Sequence, residues 1–513
     1  MFKSSKLGTV SLIAALSVCG AIAMAAVGVD SGALRNAVGI VGLKKHLTEL
    51  QLIASGNGGN RAAGTVGHGA SANYIKAQLT AAGYSVQSLP FDFKVFSEIS
   101  APSFARTAPT AQAYVEFSDF LTMEYSGSGN VNAVVQNAGG IVIPPTADAS
   151  STSGCTAVDF AGFQAGSVAL VQRGGCTFAE KAVNAHAAGA SAVIIFNEGN
   201  ANDPSRIELF GGTLGEDFDK PIPVLSASFA VGAALAGLNG AVVAIKTNTQ
   251  TEVKQTVNIL AETATGRSDR VVVVGAHLDS VAEGAGINDN GSGSAAILEV
   301  ARQMSKLKIK PINKVRFMWF SAEEAGLIGS QHYVDSLAAR DKKNIALMLN
   351  FDMVASPNFV RFVYDGDGSA TADAGPNGSA TIENVFAKYW NSKTLPFEAT
   401  AFDGRSDYGP FIDAGIPAGG LFTGAEEAKT AAQVAVYGGV AGDQLDECYH
   451  AACDDIDNIN DLVFEQMADA TADAVLQFAM TTSAVKGTSK ANDQAVKSVS
   501  SESRLHKGRH LQR

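Results

Sequence analysis

Apolar residues recur at helical spacing over Gly42 to Ala54 and again over Ala70 to Ala82, and from Tyr84 to Val95 they alternate with period two. This helix, helix, strand opening predicts the start of an α/β domain. From about 105 to 248 the texture changes to short β-like runs, such as Ile141-Val142-Ile143-Pro144-Pro145, separated by Gly, Ser and Pro turns. Within it Val168 to Val171, a helical Glu180 to Ala188 and Ala192 to Phe196 predict one β-α-β unit. After 252 the α/β rhythm returns, with strands expected at 257–262, 270–277, 315–321, 346–352 and 359–364 and helices at 293–307, 326–339 and 379–391. These strands are almost unbroken Val, Ile, Leu and Phe, which predicts a mostly parallel, mixed sheet covered by helices on both faces. The fold class is therefore α/β with a mainly β insert. The domain organisation expected is 35–104 and 249–485 as two parts of one unit, with 105–248 inserted between them.

Composition supports two globular units, since 513 residues with 46% hydrophobic and 17% charged can bury a large core. Residues 1–25 have the form of a secretory signal: Lys3 and Lys6, an apolar stretch from Leu7 to Met24, and a small-residue cleavage site at Ala23-Met24-Ala25. Cys19, after Leu16-Ser17-Val18, fits a lipid-attachment box poorly. The expected location is therefore secreted, extracellular or periplasmic. Losing the two leader lysines takes the formal charge from −12 to −14, which argues against a nucleic-acid partner and against an anionic membrane surface. Residues 486–513 are rich in Ser, Lys and Arg with few large apolar residues, and are expected to be a disordered basic tail. Four cysteines remain after the leader, Cys155, Cys176, Cys448 and Cys453; three pairings are open, and proximity favours the two local ones.

Chemistry gathers where predicted strands give way to loops. His277 ends a run of valines, and in open α/β sheets ligands collect at the carboxyl ends of strands. Asp279, two residues on, could hold its imidazole and fix the tautomer. Asp289 sits in the tight loop Gly286-Ile287-Asn288-Asp289-Asn290-Gly291 before a helix, where an Asp is commonly a turn or cap residue. Glu323 and Glu324 follow Met318-Trp319-Phe320. Neighbouring side chains in extended chain point opposite ways, so one can bind metal while the other faces a reacting water. Asp352 closes the run Leu347 to Phe351, and His450 falls between Cys448 and Cys453. Two imidazoles and several carboxylates suit a pair of Zn²⁺ ions. His46, His68, His186, His332, His506 and His510 have no such setting and are read as structural or exposed.

The ordered strings His277-Leu-Asp-Ser, Gly-Ile-Asn-Asp289-Asn-Gly-Ser-Gly, Glu323-Glu324-x-Gly-Leu-Ile-Gly-Ser, Asn-Phe-Asp352-Met and Cys-Tyr-His450 resemble the secreted two-zinc bacterial leucyl aminopeptidases. Asn57-Gly-Gly-Asn-Arg61 and Gly404-Arg-Ser-Asp407 extend the match, which covers roughly 40–100 and 252–480. The resemblance implies His277 and Asp352 on one zinc, Glu324 and His450 on the other, and Asp289 across both. It implies a water shared by the two ions, Glu323 as general base and acid, and Tyr449 as donor to the developing oxyanion. Met353 and Phe422, with Tyr449 beside them, would form an apolar pocket preferring Leu, Met or Phe at the peptide N-terminus. Tyr408 departs from the family, where His often follows Ser-Asp.

The insert, with Gly154-Cys155 and Arg173-Gly-Gly-Cys176-Thr-Phe, resembles a protease-associated (PA) domain, which implies a cover over the site or a recognition surface for protein substrates. The partners expected are peptide or protein N-termini, with no nucleic acid, no membrane once the leader is removed, and a monomeric state. Rival readings are a carboxypeptidase or glutaminyl cyclase of the same fold, or a non-catalytic PA-domain binding or sorting protein.

Overall fold

The computed structural model describes residues 29–145, 151–200, 206–371 and 373–486. The leader 1–25 and, apart from Lys486, the basic tail lie outside the described residues. Two sheet regions are joined edge to edge through one long strand, Val242–Glu262.

In the first region the strands run, across the sheet, Glu398–Thr400, Phe362–Tyr364, Ala418–Phe422, Ile345–Phe351, Arg267–His277, Asn313–Phe320 and Val242–Glu262. The central ones are parallel: Arg267–His277 lies between Asn313–Phe320 and Ile345–Phe351, and the latter also pairs with Ala418–Phe422. Val271 and Val273 face one apolar cluster, Val272 and Val274 another, so the central strand is buried on both faces, as its continuous valine run requires. The larger cluster is closed by helices Ile40–Gly56, Gly293–Lys306 and Asp461–Met480.

The long strand Ser85–Ala108 pairs antiparallel with Val242–Glu262 along nearly its whole length, so both strands run from the first region into the second. In the second region Gly129–Asn137, Val168–Gln172, Ala192–Phe196 and Val224–Ala227 are parallel, with helices Phe178–Ala187 and Phe229–Ala236. The β-α-β unit read from the sequence lies at the middle of this sheet. The ribbon crosses residues 104–105 and 248–249, and hydrophobic alternation fades along it while backbone pairing continues: Ser97, Glu98 and Ser100 are exposed yet pair with Gln250, Thr249 and Asn248, with a one-residue shift in register between Glu98 and Ser100.

The helix expected at 326–339 is observed as two shorter ones, Ile328–Ser336 and Ala339–Asn344. The strand expected at 359–364 is confined to Phe362–Tyr364. Helix Asp461–Met480, capped by the Asn460 side chain, was missed by the sequence reading although Asp461, Glu465, Asp469, Asp473 and Gln477 recur every fourth residue as a narrow polar stripe; most of the remaining surface is buried.

Candidate metal centre and active site

Three neighbouring parallel strands deliver the candidate residues from one edge of the sheet. His277 is the last residue of its strand and is in register with Phe320; Glu323 and Glu324 follow Phe320 by three and four residues; Asp352 directly follows Phe351. Asp289 arrives from the tight turn Ile287–Ser292 leading into helix Gly293–Lys306. Gly286 opens that turn at φ 62°, and a Cβ there would lie 2.4 Å from Asp289 O, so only glycine fits. The turn is held from behind by Asp454, whose two carboxylate oxygens accept from the Asn288 and Asp289 N–H groups at 2.8 and 3.0 Å. His450 comes from the loop closed by Cys448–Cys453; both local disulfides, this one and Cys155–Cys176, are formed.

The distances bring all six residues together. His277 Nε2 is 3.1 Å from Asp289 Oδ1, 3.2 Å from Asp352 Oδ1 and 4.0 Å from Glu323 Oε2. His450 Nε2 is 3.3 Å from Asp289 Oδ2 and 2.9 Å from Glu324 Oε2. Asp289 thus turns one oxygen to each imidazole, and the other carboxylates fall into two sets about it. Asp279 divides its role: its backbone carbonyl lies 3.1 Å from His277 Nδ1, while its carboxylate, 3.7 Å from that nitrogen, accepts from the N–H groups of Glu323 and Glu324.

Electrostatics asks for cations here. Asp289, Glu323, Glu324 and Asp352 converge with only two imidazoles among them, and Glu324 Oε1 is buried without a hydrogen-bond partner. Uncompensated buried charge is strongly unfavourable, so a mixed N/O set with an orphaned carboxylate oxygen fits divalent metal. Burial, with Asp352 and Glu324 close by, pushes Glu323 well above the usual carboxylate range against the opposing pull of His277. Burial acts to raise Asp289 as well, but its hydrogen bonds to His277 and His450 outweigh that and hold it low. Arg61, fully buried beneath the centre, supplies a fixed positive charge; burial lowers its pKa to about 10 while Asp279, Asp454, Asp289 and Glu324 counter the fall.

A cavity of about 530 Å³ opens over the centre. Met353 and Phe422 line it together with Tyr364 and Tyr449, so the expected apolar pocket residues face the same space as the carboxylates. Sequence reading missed three contributions. Ser406 donates to Asp352 Oδ2 at 2.5 Å. Arg405 reaches Tyr449. Glu124, Tyr125, Thr213 and Glu216, from segments beside the second sheet region, form part of the cavity wall. The string Gly404 to Asp407 signalled the first two; nothing local signalled the third. Of the other histidines, His46 and His68 are buried in hydrogen-bonded settings, and His332 stacks on Phe91 at the cavity edge. His506 and His510 lie outside the described residues.

Fold and site have the form of a metal-dependent enzyme, with candidate ligands gathered at the carboxyl ends of parallel strands. Residues 258–475 match peptidase family M28, and residues 138–235 match the PA domain. An "Aminopeptidase" of Pseudomonas aeruginosa is 48% identical over 428 residues, covering 83% of this chain and 78% of that one. The "Probable lipoprotein aminopeptidase LpqL" of Mycobacterium tuberculosis is 42% identical, covering 83% and 82%, and "Leucine aminopeptidase 2" of Arthroderma otae is 40% identical, covering 78% and 76%. Among solved structures, the aminopeptidase from Aneurinibacillus sp. strain AM-1 aligns with a TM-score of 0.69 at 25% identity, over 87% of this chain and 96% of that one. A zinc aminopeptidase from Bacillus subtilis shares the fold, with a TM-score of 0.55 at 24% identity over 85% and 94%. The chain belongs to peptidase family M28, as a metallopeptidase carrying a PA domain.

Proposed function

We propose that this chain is a two-zinc aminopeptidase that removes N-terminal, mainly apolar residues from peptides outside the cytoplasm. The observation that carries the reading is the Asp289 carboxylate, one oxygen turned to His277 and the other to His450. His277 and Asp352 would hold one ion, Glu324 and His450 the other, and Asp289 both. When bound, the ions supply Lewis acidity to the scissile carbonyl and lower the pKa of water between them.

The chain's own residues do the rest. Glu323, close to both ligand sets, takes the proton of the attacking water and returns it to the leaving nitrogen. Its carboxylate is nearly buried, with Oε2 4.0 Å from His277 Nε2, which shields a proton held there between the two steps from solvent. Burial likewise keeps the Tyr449 phenol protonated, and a phenol so placed donates to the oxyanion as it develops. Met353 and Phe422 supply an apolar wall for a Leu, Met or Phe side chain.

The two parts of the peptidase unit, 35–104 and 249–485, and the 105–248 insert belong to this reading, supported by the PA match inside the insert. Export is supported by the two disulfides and by the likeness to a protein described as a lipoprotein aminopeptidase. Metal analysis of the purified protein, alongside free and N-acetylated peptides, tests the proposal. Two zincs per chain and cleavage of free N-termini alone are expected; cleavage of acetylated peptides, or release from the C-terminus, would point to another hydrolase. Glu323→Gln should keep both metals and lose about 10²–10⁴-fold in kcat.

A further inference from the structure

We infer that Arg405, braced by Glu426, is a positioning residue that fixes the direction of the Tyr449 hydroxyl proton, so that the phenol donates into the cavity. This rests on the oxyanion role proposed for Tyr449. Arg405 Nη2 lies 3.2 Å from the Tyr449 hydroxyl oxygen. A guanidinium has donors and no acceptor, so at this contact the phenol oxygen accepts and its own proton cannot be spent on Arg405. Without that contact the hydroxyl could turn its proton elsewhere, and a preorganised donor would become a rotor.

The surroundings leave the arginine little freedom. Glu426 receives it with both oxygens, Nη1 to Oε1 at 2.7 Å and Nη2 to Oε2 at 3.2 Å, a two-point grip that sets the plane of the fork. The backbone N–H of Arg405 donates to Asp403 Oδ1 at 3.1 Å, and Tyr408 donates to the same oxygen at 2.8 Å. Here Tyr408, the departure from the family pattern, has work of its own: its hydroxyl accepts from Gly404 N at 2.9 Å and so ties the Arg405 loop at a second point. On the far side the Tyr449 ring is stacked on His450, centroids 3.9 Å apart and planes 27° from parallel, which fixes the ring that carries the hydroxyl. One loop therefore serves both flanks of the centre, Ser406 on Asp352 and Arg405 on Tyr449.

The test measures kcat and KM on leucine 4-nitroanilide, which has no carboxylate for an arginine to bind, in Tyr449→Phe, Arg405→Gln, Glu426→Gln and the Tyr449→Phe/Arg405→Gln double variant, each checked for metal content. Tyr449→Phe sets the ceiling, about 10²–10³-fold in kcat for loss of one oxyanion donor. Arg405→Gln is expected to lower kcat by roughly 10-fold or more, within that ceiling, with KM nearly unchanged; Glu426→Gln should follow it in kind to a smaller degree. The double variant should fall no further than Tyr449→Phe, because residues acting through one group do not add. Should Arg405→Gln fold poorly, Arg405→Lys keeps the charge but not the fork, and its kcat should fall likewise. An unchanged kcat in the Arg405 variants beside a fall in Tyr449→Phe overturns the inference alone, as does a further additive loss in the double variant. An unchanged kcat in Tyr449→Phe overturns the oxyanion reading and the inference with it.

Discussion

Arg61 is the buried group whose removal has the most calculable consequence. It is fully buried, and its guanidinium donates to three backbone carbonyls, those of Leu278, Ala285 and Gly286, the Ala285 contact at 2.8 Å. All three lie in the turn that runs from His277 to Asp289, so one side chain clips together the segment between two candidate ligands. Arg61→Met keeps most of the volume and removes every donor. Gly286 O also accepts from Gly291 N at 3.0 Å, so the carbonyls left buried and unpaired are those of Leu278 and Ala285, and at about 1–3 kcal/mol each they cost roughly 2–6 kcal/mol together. Domains are stable by only about 5–15 kcal/mol, so much of the margin should go.

Both tryptophans of the chain, Trp319 and Trp390, lie in the larger core cluster of the peptidase unit, so tryptophan fluorescence in urea reports the unit that contains Arg61. The measurement belongs in chelator, because bound metal would add its own stabilisation to the folded state. Arg61→Lys keeps a charge but cannot present three donors in a planar fork, and should fall between parent and Met variant. An Arg61→Met protein within about 1 kcal/mol of the parent would refute the reasoning, since it would mean that the Leu278 and Ala285 carbonyls find other partners at no cost.

Three other predictions are independent of it. Replacing Cys448 and Cys453 with serine opens a bridge of sequence separation 5, which costs about 2 kcal/mol by chain entropy but frees His450; bound zinc and turnover should therefore fall much further than the thermal midpoint, and full zinc content would contradict this. Gly293→Ala would put a Cβ 2.1 Å from Phe351 O, wedging the Asp289 turn off the Asp352 strand, and should destabilise by about 3 kcal/mol or more, whereas Gly56→Ala, with nothing within 4 Å, should be neutral or slightly stabilising in the same urea titration.

The third concerns acid stability. Burial lowers His46 below its ordinary 6.5, against the pull of Glu299, and the neutral ring lies between Glu299 at 3.0 Å and Tyr74 at 2.7 Å. The unfolded chain then binds a proton that the folded one refuses, so this stability is present above 6.5 and is lost as pH falls through the lower folded value. His46→Gln should flatten the fall of the urea midpoint below pH 6.5, leaving the share due to His68, which burial also lowers; an unaltered slope would count against the assignment.

Much of this protein was written locally. The four-valine run before His277 needs no partner to declare a strand buried on both faces, and the acids after Phe320 and Phe351 mark where such strands must end. Helices Ile40–Gly56 and Val66–Ala81 were visible from apolar spacing alone. Of the three cysteine pairings open to the sequence, the local one that proximity favoured is the one formed. By contrast, helix Asp461–Met480 went unread although a narrow polar stripe of Asp461, Glu465, Asp469, Asp473 and Gln477 marks its period, and the β-ribbon Ser85–Ala108 with Val242–Glu262 continues through polar residues because backbone pairing, not side-chain alternation, sustains it.

What tertiary structure alone decided is who meets whom. Parallel pairing in register puts Phe320 beside His277 and so brings Glu323 within 4.0 Å of that imidazole across 46 residues of chain; no pattern within either strand encodes that distance. The same holds for Arg61 under the His277 turn, for Arg405 on Tyr449, and for Glu124 and Glu216 on the cavity wall. Sequence periodicity reports what a residue needs, burial or water, because that depends on its own chemistry. Its partner is set by strand order and register, which are properties of the whole sheet.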